Sequence, residues 1–507
     1  MKINISNFKI QVFVMIFFSA PTLFSQGTDS LFTKLKEQQN QKLFYQSIFQ
    51  NPSLMADFGK YKFSTINLRY QNNQKDAYRI QQPKGENFFE VEAQSFFPLK
   101  NHQVVWGKAV YNNKNQKNVR WNESIDYELI YPYVTADEIG GNLNEEAYSF
   151  LGGFAKEFER WNLGMELDYR AKLSSRSKDP RPKNISSDLN LKLGGFSRNI
   201  FGIDFGFYLG FQKYTQSNDI KFFSELGSPP VYHLNGMGYY NNLLKGTKLH
   251  SFYEGYGYRF GGEFTNSLKR NIWLTADFNQ LNVEKITIEG NGTEAMRLTN
   301  RDLNINLVKL FNNHKNTYGI KLNYLRNEKK GLEPILSGRG NNNNIEVISR
   351  NENYHLENDF FELSGLFYSE KKGQLNFSPF VNYQIYREEY FLVKSFQYFD
   401  YMGFGVKVGY INALDVKNIL SFGLNINHRK NLKKTSLLRN DDEVSLSEMM
   451  LHNYQFLASN FTKYAASLKI DRYLSPKFNI FLGISSEIVT FGGKTNYLYN
   501  ISTGVSF

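Results

Sequence analysis

Residues 496–507 alternate strictly enough to dictate a strand. Tyr497, Tyr499, Ile501, Thr503, Val505 and Phe507 share one parity. Asn496, Asn500, Ser502, Gly504 and Ser506 share the other, and Leu498 alone breaks the pattern. Side chains on a strand have a period of two, so the segment has one apolar face and one small, polar face. It ends on an aromatic residue. Apolar outward and small and polar inward is the pattern of a strand that closes a lipid-embedded β-barrel around a lumen. Soluble sheets also end on alternating strands, so the rest of the chain decides.

The same unit recurs from about Tyr61 onward. Trp161, Leu163, Met165, Leu167 and Tyr169 alternate with Asn162, Gly164, Glu166, Asp168 and Arg170. Phe201, Ile203, Phe205, Phe207, Leu209 and Phe211 alternate with Gly202, Asp204, Gly206, Tyr208, Gly210 and Gln212. Eighteen such runs begin near residues 61, 87, 103, 146, 161, 187, 201, 251, 271, 300, 316, 359, 374, 403, 418, 463, 476 and 495. A tilted strand needs roughly 9–11 residues to cross a bilayer, and these runs are long enough.

Short connections fall at 98–102, near 159–160, near 199–200, and at 313–315, 371–373 and 474–476. Long polar ones intervene at 114–145, 214–250, 329–358 and 429–462. Short periplasmic turns alternating with long extracellular loops are the habit of an outer-membrane barrel. The expected fold is therefore all-β: a transmembrane, antiparallel, up-and-down β-barrel of about 18 strands, within a range of roughly 14–20. The closing strand is expected to pair with the run near 61–71, with Phe507 at the periplasmic rim.

The amino terminus agrees. Lys2 and Lys9 precede an apolar stretch from Ile10 to Leu23, and Ser25 ends it. Residues 1–25 read as a secretory signal peptide, 26–59 as a periplasmic or hatch segment, and 60–507 as the barrel. No other stretch approaches the roughly 18 consecutive apolar residues of a membrane helix. Cysteine is absent, which excludes a disulfide scaffold and thiol chemistry. Aromatic residues make up 16% of the chain, with 45 Phe and 33 Tyr, as the girdles at two lipid interfaces require. The net charge of +12 would ordinarily suggest nucleic acid. With an outer-membrane address, the expected counter-charge is outer-membrane lipid and lipopolysaccharide, and no nucleic acid partner is expected.

The inward parity carries both signs: Arg69, Lys108, Arg170, Lys192, Arg259 and Lys469 face Glu90, Glu92, Glu166, Asp168, Asp188, Asp277 and Asp471. Cross-strand pairing that stiffens the wall accounts for most of this, and strong ion selectivity is not expected. The loop from Lys114 to Glu146 stands out. It is acidic and aromatic in a basic protein, and too apolar to lie free in water. Trp121, Tyr127, Ile130 and Tyr133 must be buried somewhere, and the lumen is available. Arg120, Trp121, Glu123, Asp126, Tyr127 and Asp137 of this loop, with Glu166, Asp168 and Arg170 of the wall, are the candidate constriction or solute contacts. The seven histidines show no metal-ligand spacing, and Asn440-Asp441-Asp442-Glu443 reads as a solvated acidic turn. Neither a catalytic constellation nor a cofactor or metal site is expected, and the chain is not read as an enzyme.

Residues 118–155 resemble a family of outer-membrane barrels from Bacteroidota that has no established activity. The likeness rests on Arg120-Trp121-Asn122-Glu123, Leu129-Ile130-Tyr131-Pro132-Tyr133, Ala136-Asp137, Gly140-Gly141 and Gly152-Gly153. It implies location and fold, over the whole mature chain. Asn51-Pro52-Ser53 is similar to the Asn-Pro-Ala of the long-chain fatty-acid transporter superfamily, where that region forms an N-terminal hatch. The functional expectation is a channel or transporter for small or hydrophobic solutes, in the outer membrane of a Gram-negative bacterium. The alternative is a non-conducting barrel subunit of a secretion, assembly or nutrient-uptake complex. The barrel assembly machinery is the expected partner of the strand ending at Phe507.

Overall fold

The computed structural model describes residues 50–507 except 60–61, 225–228, 247–249, 288–291, 314–315, 338–344, 371–372, 440–443 and 476–477. The expected signal peptide, most of the 26–59 segment, the 440–443 turn and parts of the short turns at 313–315, 371–373 and 474–476 lie outside these.

Eighteen antiparallel strands form one closed sheet. The first six are β1 (Phe63–Lys75), β2 (Gly85–Leu99), β3 (Gln103–Val119), β4 (Gly141–Glu157), β5 (Trp161–Ser175) and β6 (Arg181–Ile200). Then come β7 (Ile203–Lys221), β8 (His250–Asn266), β9 (Ile272–Thr287), β10 (Thr293–Asn313), β11 (Asn316–Leu336) and β12 (Val347–Ser369). The last are β13 (Gln374–Tyr390), β14 (Ser395–Ala413), β15 (Asn418–Leu437), β16 (Phe461–Ser475), β17 (Phe478–Phe491) and β18 (Lys494–Ser506). Each pairs with its sequence neighbours, and β18 closes on β1 with Thr65 opposite Ser506 and Tyr70 opposite Ile501. Phe507 N–H donates to Ser64 O at 2.9 Å and Ser64 N–H to Phe507 O at 2.7 Å. Closure leaves no unpaired sheet edge, which is what a bilayer demands of strands.

The outward face is apolar where the alternation said it would be. Leu163, Met165, Leu167, Phe207, Leu209, Phe211, Tyr499 and Ile501 are all exposed on the barrel exterior. Leu498, the misfit, faces inward. Inside, the expected cross-strand pairs form: Arg69–Glu90 at 2.6 Å, Lys108–Glu92 at 2.6 Å, Lys192–Glu166 at 3.2 Å and Lys469–Asp471 at 2.9 Å.

The long loops need correction. The connection expected at 114–145 shrinks to 120–140, and the one at 329–358 becomes the ends of β11 and β12, which run to Leu336 and restart at Val347. Strands reach 23 residues in β12, more than a bilayer needs. Beyond the lipid, polarity inverts. Tyr354 and Leu356 of β12 are buried inside while His355 and Glu357 face out. A rule of apolar outward and polar inward reads such a stretch as loop. The 429–462 connection likewise gives β15 to Leu437 and then a helix, Val444–Leu457.

Candidate functional site: a strap folded into the lumen

The β3–β4 connection, residues 120–140, turns inward and forms a strap. Its two limbs pair with each other: Trp121 N–H donates to Asp137 O at 2.9 Å and Glu123 N–H to Thr135 O at 2.7 Å. Asn122 caps the bend by accepting from Ser124 N–H at 3.0 Å. One helical turn, Tyr127–Ile130, makes the tip, and a cis Tyr131–Pro132 bond follows. Thr135–Ala136 adds to Tyr232–Gly236 of the β7–β8 connection, and Tyr239–Tyr240 completes a small three-stranded sheet. Two long connections at the same end of the barrel therefore fold together inside its mouth. Trp121, Ile130, Tyr133 and Val134 are each at most 1% exposed. Burying each stabilises the strap by about 1.5–3 kcal/mol.

The wall holds the strap around most of its circumference. Asp126 accepts from Lys172 Nζ at 2.8 Å, Arg170 Nη1 at 3.0 Å, Ser186 Oγ at 3.0 Å and Tyr214 Oη at 3.3 Å. Asn184 and Asn218 donate to Glu123 O at 2.8 and 2.7 Å. Tyr253 Oη donates to Tyr133 O at 2.9 Å. Tyr131 and Tyr133 donate to the buried carboxylates of Glu388, at 2.6 Å, and Glu333, at 3.1 Å. Strands β5 to β8, β11 and β13 thus contribute. The remaining arc is covered by the 444–457 helix and the β1–β2 connection. Tyr401 Oη donates to Leu457 O at 3.0 Å, and Ile80 N–H to Asn453 Oδ1 at 2.9 Å. Gln81 joins the two parts, accepting from Tyr127 Oη at 2.8 Å.

At the centre of the anchorage Arg176 pairs with Glu123, with Asp137 3.9 Å from the same guanidinium. All three side chains are at most 2% exposed. Burial first, and then the neighbouring Asp137, push the Glu123 carboxyl well above its ordinary value despite Arg176. Two acids buried against one cation disfavour the charged form of Glu123. Asp126 goes the other way: burial would raise it, but Lys172 and Arg170 outweigh burial and hold it below the usual range.

Below this cap lies a chamber of about 790 Å³ on the β11–β18 side. Its lining includes Lys321, Glu362, Lys407, Asn425, Ser467, Glu487 and Asn500. It reaches Gln374, the first residue of β13, at the end of the barrel opposite the strap. The other side of the lumen is occupied, toward the end opposite the strap, by a 3-10 turn, Pro52–Phe58. Asn51 caps it, donates to Gly195 O at 3.1 Å and hydrogen-bonds Glu263. Asp57 pairs with Arg198 and, at 2.6 Å, with Arg270.

A family model aligns with residues 52–507, nearly the whole described chain. The protein belongs to DUF6850, a family of unknown function. No curated protein matches it. Among solved structures it is similar to BauA, the ferric preacinetobactin receptor from Acinetobacter baumannii, at 8% identity and TM-score 0.39, over 88% of this chain and 80% of that one. The FrpB iron transporter from Neisseria meningitidis is similar at 9% identity and TM-score 0.41, over 90% and 83% of the two chains. The DUF6850 barrel is established by its own strand pairing, and these distant likenesses carry no argument about what it does.

In this DUF6850 chain the residues singled out from sequence divide into two groups. Trp121, Glu123, Asp126, Tyr127 and Asp137 are brought together inside the mouth, and Arg170 meets them through Asp126. Glu166 instead pairs with Lys192 and accepts from Trp106 Nε1 at 3.2 Å, within the wall. Asp168 sits in the same wall, opposite Leu151 and Asn190 in the strand register. Arg120 is half-buried at the strap's root, donating to Glu138 O at 2.9 Å. The anchors Arg176, Glu333 and Glu388 were missed, because their partners lie 53 to 257 residues away and only barrel register brings them close. Inward parity was the one sequence signal of Glu333 and Glu388, and Arg176, one residue past β5, had none. Glu328, His355 and Glu357 also meet, with ligand atoms within 4.8 Å, on the outer face. Arg301 at 3.1 Å from Glu328 and Arg326 at 2.6 Å from Glu357 make that group an ion-pair lattice.

Proposed function

We propose that this protein is an outer-membrane transport barrel that is shut at rest: a gated passage for small polar solutes. The observation that carries the reading is a polar chamber reaching the periplasmic rim beneath a cap built on the strap 120–140 and completed by the 232–240 strands, the 444–457 helix and the β1–β2 connection. An 18-stranded barrel is wide enough for an aqueous lumen unless something plugs it, and here the plug is a connection that its own side-chain anchors could release. The lining of Ser, Asn, Lys and Glu favours polar over hydrophobic cargo. An outer-membrane address in a Gram-negative cell, export through the leader at 1–25, and insertion by the barrel assembly machinery through the strand ending at Phe507 belong to the same reading.

A second reading is favoured by the strap's interlocking with strands β5 to β8, β11 and β13: a non-conducting barrel that serves as a subunit of a larger complex. Planar-bilayer recording separates the two. The intact protein should be silent or flicker rarely, and a variant lacking 122–138 should carry ohmic current. Silence in both, from protein shown to be folded, would overturn the gated passage and leave the subunit reading.

A further inference from the structure

Directly beneath the cap is a second cavity, of about 390 Å³, on the same inner face of the barrel as the chamber. On β12, β13 and β15 its lining residues Asn358, Gln384 and Arg429 are each four positions from Glu362, Phe380 and Asn425 of the chamber, on the same face. Three cations line it, Arg79, Lys329 and Arg429, against one carboxylate, Glu128. Glu128 is already engaged, accepting from Gln82 Nε2 at 2.7 Å. Among the described residues no carboxylate lies within ion-pair distance of any of the three cations. Nearby Glu388 is satisfied by Tyr131, Tyr354, Tyr386 and Gln397, and Asp302 accepts from Asn327 at 2.7 Å.

Lys329 and Arg429 are hydrogen-bonded by neutral groups, and the acids that act on Arg79 and Lys329 from further off, Glu128 first, form no ion pair with them. Lys329 Nζ donates to Glu128 O at 2.5 Å and Tyr131 O at 3.2 Å. Arg429 Nη2 donates to Ser459 O at 3.0 Å, and its guanidinium lies 4.3 Å from the Tyr401 ring centroid. Its Nε has no partner among the described residues although it is shielded from solvent. Tyr386, Tyr401 and Leu457 add apolar and aromatic surface to the same lining, with Tyr401 against Arg429. A concave site with an apolar body and a few convergent charged donors is how proteins bind small organic ligands. Planar guanidinium groups suit carboxylate or phosphate oxygens.

We propose that this cavity is a binding site for a small organic anion, a carboxylate or phosphate attached to an aromatic or apolar body. The anion meets Arg79, Lys329 and Arg429, and the body lies against Tyr386, Tyr401 and Leu457. The site deepens the transport reading by naming a solute class, but it fails separately, because binding is read on purified protein with no membrane current.

Calorimetric titration with phenyl phosphate tests it, with inorganic phosphate and phenol as the two half-ligands. Phenyl phosphate should bind, and Arg429→Gln and Arg79→Gln should each weaken it by at least about tenfold. Phenol should give no heat, and inorganic phosphate should bind more weakly than phenyl phosphate. Heat-modifiable gel mobility checks that each variant is folded, and Arg79→Lys should bind better than Arg79→Gln if charge is what matters. Absence of phenyl phosphate binding, or unchanged affinity in both folded Gln variants, overturns the site. Phosphate binding as tight as phenyl phosphate overturns the aromatic contact.

Discussion

Replacing Arg176 by Met should release the strap. The guanidinium is 2% exposed and faces Glu123 and Asp137, both at 0%. Methionine fills similar volume but leaves two buried acids with no cation. Breaking a buried ion pair from one side costs about 3–5 kcal/mol, or about two to four powers of ten in the ratio of docked to free strap. The chain has no cysteine, so Ser124→Cys introduces a single thiol. Ser124 is 3% exposed within the strap. A membrane-impermeant thiol reagent applied to whole cells therefore reacts only when the strap is out, and its rate follows the open population when reclosing is fast. Arg176→Met in this background should raise the rate by about a hundredfold or more. Adding Asp137→Asn should recover most of the protection, because burial already holds Glu123 toward its neutral form and this change removes the other acid, while an amide oxygen can still accept from Gly140 N–H, now 2.8 Å from Asp137. Equal labelling with and without Arg176 would refute the idea that this cluster holds the mouth shut. A double variant no better protected than Arg176→Met would refute the orphan-charge explanation.

Three further outcomes follow from the same geometry. Glu123 is held above its ordinary value by burial and then by Asp137, so the docked strap binds more protons than the free one. Docking should weaken by about 1.4 kcal/mol per pH unit from the ordinary carboxyl value up to the raised one. Labelling of the thiol in Ser124→Cys should accelerate with pH across that window, beyond the reagent's own pH dependence, and lose this slope when Glu123→Gln is added. Asp126, held low by Lys172 and Arg170 against burial, contributes only in stronger acid. Gly140 has φ +63°, and an added Cβ would lie 2.7 Å from Arg120 Cα. Gly140→Ala should therefore loosen the strap's root by about 1–3 kcal/mol, read by the same labelling. Asn51→Ala removes the cap on Ser53 N–H, at 3.0 Å, and a partner of buried Glu263. It should lower thermal stability by about 1–3 kcal/mol while leaving the labelling of Ser124→Cys unchanged.

The strands were legible because lipid and lumen impose opposite demands on alternate residues, and the closing strand shows this most simply. Its outward Tyr499 and Ile501 are exposed, and its inward Asn500 and Ser502 line the chamber. Strand ends were not legible, because above the lipid the outside is water and the inside is the strap. Lys330 then faces out while Lys329 and Glu333 are buried. The strap could be read from composition alone: Trp121, Ile130 and Tyr133 cannot remain in water at the end of a loop. Its acids were legible as candidates for the same reason. Their cations were not, since Arg176 reads as the first residue of an ordinary loop until β5 places it beside Glu123.

The two sides of the lumen differ in a way that bears on gating. On one side, inward glycines are seats for the N-terminal turn: a Cβ on Gly164 would lie 2.5 Å from the Pro52 carbonyl carbon, and one on Gly194 would lie 3.0 Å from Pro52 Cδ. Asn51, Asp57 and their wall partners Glu263, Arg198 and Arg270 lock that turn by ion pairs and hydrogen bonds distinct from those of the strap. On the other side, Ser421, Gly423, Ser467, Gly483, Ser485 and Ser502 line the chamber. Small residues there leave volume that no described segment takes up. Among the described segments, when the strap moves aside together with the 444–457 helix and the β1–β2 connection that cover the rest of the mouth, solvent runs down β11–β18 while the turn at Pro52–Phe58 stays seated. Current should then appear in strap-release variants without any change at Asn51. A requirement for Asn51→Ala in addition would mean that the turn, and not the strap, is the barrier.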